Sequence, residues 1–105
     1  MNNNELELTI LRKAESIENQ RSLADELGFS VGKINYVLNA LIEKGLIKVE
    51  NFATAKNKKK YKYLLTQKGI KEKIILTEKF INRKKWEYNE LQKELEFFRK
   101  NGNNL

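Results

Sequence analysis

Apolar residues recur at helical spacing from the first residues of the chain. Leu6, Ile10, Ala14 and Ile17 share one face, with Leu11 beside them, which predicts a helix over residues 5–17. Asn19 can then cap a second, shorter helix over 20–27 whose apolar positions are Leu23, Ala24 and Leu27. Gly28 stops it, since only glycine enters the left-handed position after a helix without a Cβ penalty. Phe29 follows as a plug for the core. Ser30 caps a third helix running to residue 44, and Gly45 ends that helix as Gly28 ends the one before. The period then changes. Residues 46–50 and 61–65 alternate as strands, and residues 51–60 between them are polar and basic, the make-up of a long hairpin loop. Thr66 caps a last helix reaching about residue 100, with Gly69 in its first turn and Gly102 beyond its end. The expected fold is mainly α with a small β-hairpin: a winged helix-turn-helix followed by a long C-terminal coiled-coil helix.

On a helical wheel the third helix turns Val31, Ile34, Leu38, Leu41 and Ile42 to one side. Gly32, Lys33, Tyr36, Asn39, Ala40 and Glu43 lie opposite, with Asn35 at the border. A solvent face on a small protein usually carries several Lys and Glu. This one carries amides and an unburied tyrosine instead. Asn pairs bidentately with adenine in the major groove, Lys reaches guanine or phosphate, and Gly32 allows close backbone approach. The helix N-terminus at Ser30 attracts phosphate, and Arg21 on the preceding helix is a further candidate contact. The small residue Ala24 and the turn at Gly28 let the two helices approach as the motif requires.

Charge sharpens this reading. The chain has 105 residues and a net charge of +7. Residues 1–29 carry three basic and six acidic groups (−3), residues 30–66 eight and two (+6), and residues 67–105 ten and six (+4). The positive field is thus densest over the third helix and the hairpin, where a polyanion would be met. Lys56, Lys58, Lys59 and Lys60 fall at the hairpin tip or its descending limb and suit a phosphate backbone or minor groove. The absence of Arg there favours charge contact over insertion into a narrow groove. No His and no Cys are present, which removes disulfides, thiolate zinc sites, the commonest metal ligand and the commonest general base. No cofactor, no metal and no enzymatic activity are expected. The longest apolar runs are far short of the ~20 residues that span a bilayer, and no signal peptide is visible, so a soluble, cytoplasmic protein without membrane contact is expected.

The last helix carries a second pattern. Ile70, Ile74, Thr77, Ile81, Lys84, Tyr88, Leu91, Leu95 and Phe98 alternate steps of four and three, a heptad seam with Lys84 as its one strongly polar member. Phe80, Trp86 and Phe97 lie off the seam and widen the apolar surface. A fold-back of this helix would need a turn at Asn82-Arg-Lys-Lys, which has neither Gly nor Pro. The expectation is a homodimer through Ile70, Ile74, Ile81, Tyr88, Leu91, Leu95 and Phe98, with residues 1–66 as a DNA-binding domain and residues 67–105 as a dimerisation helix.

Residues 27–49 (LGFSVGKINYVLNALIEKGLIKV), Asn51-Phe52, and Leu64-Leu-Thr-Gln-Lys-Gly-Ile70 together resemble MarR-type winged-helix transcription regulators, most of all the short branch associated with exopolysaccharide biosynthesis. The resemblance covers about residues 6–98. It implies a sequence-specific regulator that binds double-stranded DNA as a homodimer at a palindromic site and controls polysaccharide genes. It maps Ser30, Gly32, Lys33, Asn35, Tyr36 and Asn39 to the recognition helix and Lys56 to Lys60 to the wing. Two competing functions fit the same scaffold: a protein-interaction module that assembles a complex, and a plasmid replication or partition protein. The wing lysines and the amide-rich helix favour DNA, because protein interfaces are depleted in Lys.

Overall fold

The computed structural model describes residues 2–53 and 59–102. In order these form α1 (Asn3–Lys13), a 3-10 turn (Ala14–Ser16), α2 (Gln20–Leu27), α3 (Val31–Glu43), β1 (Ile47–Ala53), β2 (Lys59–Leu65) and α4 (Gln67–Asn101).

Side-chain caps fix most of the helix starts. The Asn2 Oδ1 accepts from the Glu5 N–H at 2.8 Å, the Asn19 Oδ1 from Ser22 N–H at 2.8 Å, the Ser30 Oγ from Lys33 N–H at 3.1 Å and the Thr66 Oγ1 from Gly69 N–H at 2.9 Å. Each satisfies a donor that the helix itself leaves without a partner. Gly28 and Gly45 take φ of 75° and 74°, the left-handed conformation expected of them. The first helix differs from expectation at both ends: it begins at Asn3 and leaves α-geometry after Lys13. The Ser16 Oγ donates to the Lys13 carbonyl at 2.9 Å, and this local competition tightens the chain before Ile17 turns extended to present the Asn19 cap.

The buried face of α3 is rotated from the predicted one. Ile34, Val37, Leu38 and Leu41 are buried, whereas Val31 is 43% exposed and Ile42 half-buried. The cause is α1, which covers the Val37 flank. On that flank Lys33 Nζ donates to Asn3 Oδ1 at 3.3 Å, and Lys44 Nζ lies 3.4 Å from Glu7 Oε1. Leu6, Ile10, Leu11, Ile34, Leu38, Leu41 and Ile47 are fully buried and form the centre of the core. Phe29 packs partly buried at its edge. Leu8 is buried too, although it lies off the predicted face of the first helix, on a flank that α4 helps to cover.

The hairpin is longer than its alternation suggested. β1 and β2 pair antiparallel from Ile47↔Leu65 out to Ala53↔Lys59, so residues 51–53 and 59–60 belong to the ladder rather than to the loop. Backbone hydrogen bonds hold these pairs whatever the polarity of the side chains. Tyr63 packs buried on the inner face opposite Val49.

α4 runs unbroken from Gln67 to Asn101. Its root is built into the core. Gly69 and Leu76 are buried, Phe80 packs partly buried against the core, and Arg83 Nη1 lies 3.7 Å from Glu5 Oε1 of α1. Phe80 therefore closes the core and does not widen the exposed surface. At Gly69 a Cβ would overlap the Leu46 carbonyl oxygen, so glycine is required by this contact, not merely tolerated in a first turn. Beyond Arg83 two ion pairs run along the helix itself, Lys84 with Glu87 and Lys93 with Glu90, both at 3.3 Å. The molecule extends 71 × 27 × 20 Å with a radius of gyration of 19.5 Å, against about 13 Å for a compact chain of this length.

Candidate nucleic-acid interface

The turn at Gly28 and the packing of Ile34 and Leu38 aim α3 so that Gly32, Tyr36, Asn39 and Glu43 form its outermost ridge, all exposed. Asn35 stands on the flank toward the hairpin and Lys33 on the flank toward α1. Tyr36 is 70% exposed and does not pack on the wing; its ring centroid is 5.8 Å from Lys33 Nζ, a cation–π distance. The Lys33 ammonium is thus held between Asn3 and Tyr36 at the N-terminal end of the ridge. The Ser30 hydroxyl is occupied as the cap of α3, and Gly32 has open space around it apart from Ser30 Oγ at 4.0 Å. Arg21 is exposed on the first turn of α2.

Between the Asn35 flank of α3 and the inner face of the hairpin lies an open groove of about 1000 Å³. Ile17, Ile42 and Val49 line it together with Gln20, Asn35, Asn39, Tyr61, Lys62 and Tyr63, and Glu18 is the single acid on its rim. Three amides cross this groove in a row. Asn39 Nδ2 donates to Asn35 Oδ1 at 3.0 Å, Asn35 Nδ2 donates to Gln20 Oε1 at 3.1 Å, and Gln20 Nε2 donates to the Tyr63 hydroxyl at 3.4 Å. Gln20, Tyr61 and Tyr63 were not singled out by the sequence. Nothing in their spacing separates Gln20 from a solvated first-turn residue, and 43 residues divide it from Tyr63.

Among the basic residues, Lys59 and Lys60 lie in β2. Lys56 and Lys58 lie outside the described residues. Lys62 is exposed on β2, while Lys48 is 3.7 Å from Glu50. No group of three or more His, Cys, Asp or Glu side chains that could hold a metal occurs among the described residues. No described helix is long and apolar enough to cross a membrane.

The seam residues of α4 are uncovered in the single chain. Ile70, Ile74, Ile81, Tyr88, Leu91, Leu95 and Phe98 are between 44% and 64% exposed. Off the seam, Trp86 and Phe97 are as open. Lys84 leans away from the seam, its ammonium 5.1 Å from the Phe80 ring centroid and 3.3 Å from Glu87 Oε2.

Residues 8–48 match the family model described as winged helix-turn-helix DNA-binding. That match spans α2 and α3 with their turn and the start of the hairpin. The fold is a winged helix-turn-helix. Among solved structures, a PadR-like transcriptional regulator from Bacillus cereus superposes with a TM-score of 0.68 at 22% identity, over 83% of this chain and 91% of that one. A variant of S. aureus MepR, of the MarR family, gives 0.63 at 22% identity, over 96% of this chain and 74% of that one. A second MepR variant, bound to an oligodeoxyribonucleotide, gives 0.58 at 22% identity over 96% and 73%. At this identity the likeness is one of fold, and it extends through α4. No curated protein matches the chain. The narrower resemblance to the exopolysaccharide-associated branch rests on the sequence alone.

Proposed function

We propose that the chain is a sequence-specific, DNA-binding transcription regulator that works as a homodimer in the cytoplasm and has no enzymatic activity. The observation that carries the reading is the exposed ridge of α3, whose amides and tyrosine bury nothing for the fold and stand beside a basic hairpin. In this reading Tyr36 and Asn39 face base edges in the major groove with Asn35 beside them, Lys33 reaches guanine or phosphate, and Gly32 lets the backbone come close. Arg21, Ser30 and the N-terminus of α3 meet phosphates, and Lys56, Lys58, Lys59 and Lys60 follow the backbone beside them. Residues 1–66 read DNA, and residues 67–105 pair two copies through the α4 seam. Control of polysaccharide genes is what the sequence resemblance adds. The DNA-bound MepR variant shows that a protein of this fold takes an oligodeoxyribonucleotide.

The test is selection from random duplexes followed by titration in salt. Affinity for the selected site should fall steeply, with a slope near −0.9 for each of roughly 4–8 phosphate contacts per dimer. Replacing Lys56, Lys58, Lys59 and Lys60 by Ala should weaken every duplex alike and flatten that slope. A flat salt response of the parent, or no duplex enriched, sinks the reading.

A second reading is favoured by one observation: Trp86 and Phe97 are 65% and 61% exposed and lie off the seam that would pair two copies. An assembly module that seats a protein partner on α4 would use them. It predicts that Trp86→Ala leaves DNA binding and dimerisation intact yet disables the protein in the cell.

A further inference from the structure

The amides of the groove do not stand alone. They form one directional chain from α3 through α2 to the wing: Asn39 to Asn35, Asn35 to Gln20, Gln20 to the Tyr63 hydroxyl. The direction matters, because an amide presents a donor on one side and an acceptor on the other, and a half-turn exchanges them. Asn35 has its oxygen engaged by Asn39 and one N–H engaged by Gln20, so turning it toward a base would break a bond at each end. Asn39 has given one N–H to Asn35 and keeps its Oδ1 and its second N–H. That remaining pair is the pattern that complements N6 and N7 of adenine in the major groove.

We infer that Asn39 is the amide that reads, and that Asn35 and Gln20 are positioning residues that set which way it faces. The inference rests on the DNA-binding reading above and names its chemistry further: an adenine read by Asn39, with its donor and acceptor in an order fixed from the start of α2 and the inner face of the hairpin. Gln20 is the anchor. It reaches α3 from the first turn of α2, and the buried Tyr63 ring holds the far end of the chain still. Without Gln20, Asn35 is free to rotate, and Asn39 can offer its edge in either sense. Half of those orientations place a donor against the adenine amino group. The row also ties the base of the wing to the reading amide, so the hairpin contributes to base choice without touching a base.

The two asparagine bonds are exposed, the Gln20–Tyr63 bond is half-buried and long, and the net contribution of such bonds to folding is small, so variants should remain folded. Gln20→Leu removes both of its hydrogen bonds. Gln20→Glu keeps an oxygen for Asn35 Nδ2, and the Tyr63 hydroxyl can rotate to donate to the other carboxylate oxygen. Gln20→Glu should therefore restore what Gln20→Leu loses, apart from a general drop in affinity from its added charge near phosphate.

The experiment measures binding of the full chain to its selected duplex, to the same duplex with each A·T pair replaced in turn, and to random duplex. Alongside it, NMR follows the side-chain amide resonances of Asn35 and Asn39 in the free protein. Gln20→Leu should cut discrimination at one A·T pair by about tenfold, the size of one base contact. Affinity for random duplex should stay as in the parent, and the Asn35 and Asn39 amide resonances should move. Gln20→Glu should bring the discrimination ratio back. Unchanged discrimination in Gln20→Leu overturns the inference and leaves the DNA-binding reading standing. A uniform loss on all duplexes also overturns it, since that marks a phosphate contact or a folding defect. A parent that shows no preference among duplexes overturns the DNA-binding reading and this inference together.

Discussion

Tyr36 and Asn39 occupy positions on α3 where any soluble side chain would satisfy the fold. Truncating either should therefore separate binding from stability. Tyr36→Ala and Asn39→Ala are expected to change unfolding free energy by no more than about 0.5 kcal/mol, as exposed positions do. Each should reduce preference for the selected site over random duplex by about 1–3 kcal/mol. Competition binding alongside chemical denaturation reads both numbers. Leu38 lies on the core-facing side of the same helix, fully buried. Leu38→Ala should cost about 2–5 kcal/mol of stability through lost burial and the cavity left behind, visible as a lower denaturation midpoint at unchanged slope. A ridge variant that destabilised like Leu38→Ala would mean that the ridge belongs to the packing.

At the scale of elements, much was legible because the chain punctuates itself. Asn19, Ser30 and Thr66 fix helix starts within their own neighbourhood, and Gly28 and Gly45 fix two ends. The ridge of α3 was readable for the same reason: a helical period plus one capped start defines which residues face out. What the sequence hid was non-local. The buried face of α3 includes Val37 because α1 covers that flank. The ladder continues through Asn51 and Lys60 because backbone pairing does not consult side-chain polarity. Gln20 joins the groove only once Asn35 and Tyr63 are brought beside it. Gly69 was the subtlest case. Helix propensity alone says that Ala there should gain about 1 kcal/mol. The Leu46 carbonyl occupies the space that a Cβ needs, so Gly69→Ala is expected to lower stability instead. Equilibrium denaturation decides by sign alone: a stabilised variant would show that α4 shifts away from Leu46 at little cost.

At the scale of the molecule, the proposed dimer rests on the α4 seam, which is uncovered in the single chain. Burying several Ile and Leu side chains at ~1.5–3 kcal/mol each is a strong drive to pair, and sedimentation at tens of micromolar should find dimers. Ile81→Asp with Leu91→Asp should give monomers that keep the folded winged helix and lose most affinity for the selected site, because two linked half-sites bind far better than one. A monomeric parent would remove the dimer from the account. The joint at the root of α4 then has a further consequence. The Thr66 hydroxyl donates to the Gly45 carbonyl at 2.6 Å, Lys68 Nζ reaches the Lys44 carbonyl at 2.9 Å, and Gly69 sits against Leu46. The turn that follows α3, residues 44–46, is thereby bolted to the first turn of α4, and the two axes keep one angle. A rod of 35 residues is about 50 Å long, so each degree of play at the bolt swings its far end by about 1 Å. Two copies joined along such rods would have the distance between their α3 helices set by the angle at residues 44–46 and 66–69. The spacing of half-sites on DNA would then be encoded in a hinge that touches neither the bases nor the other copy.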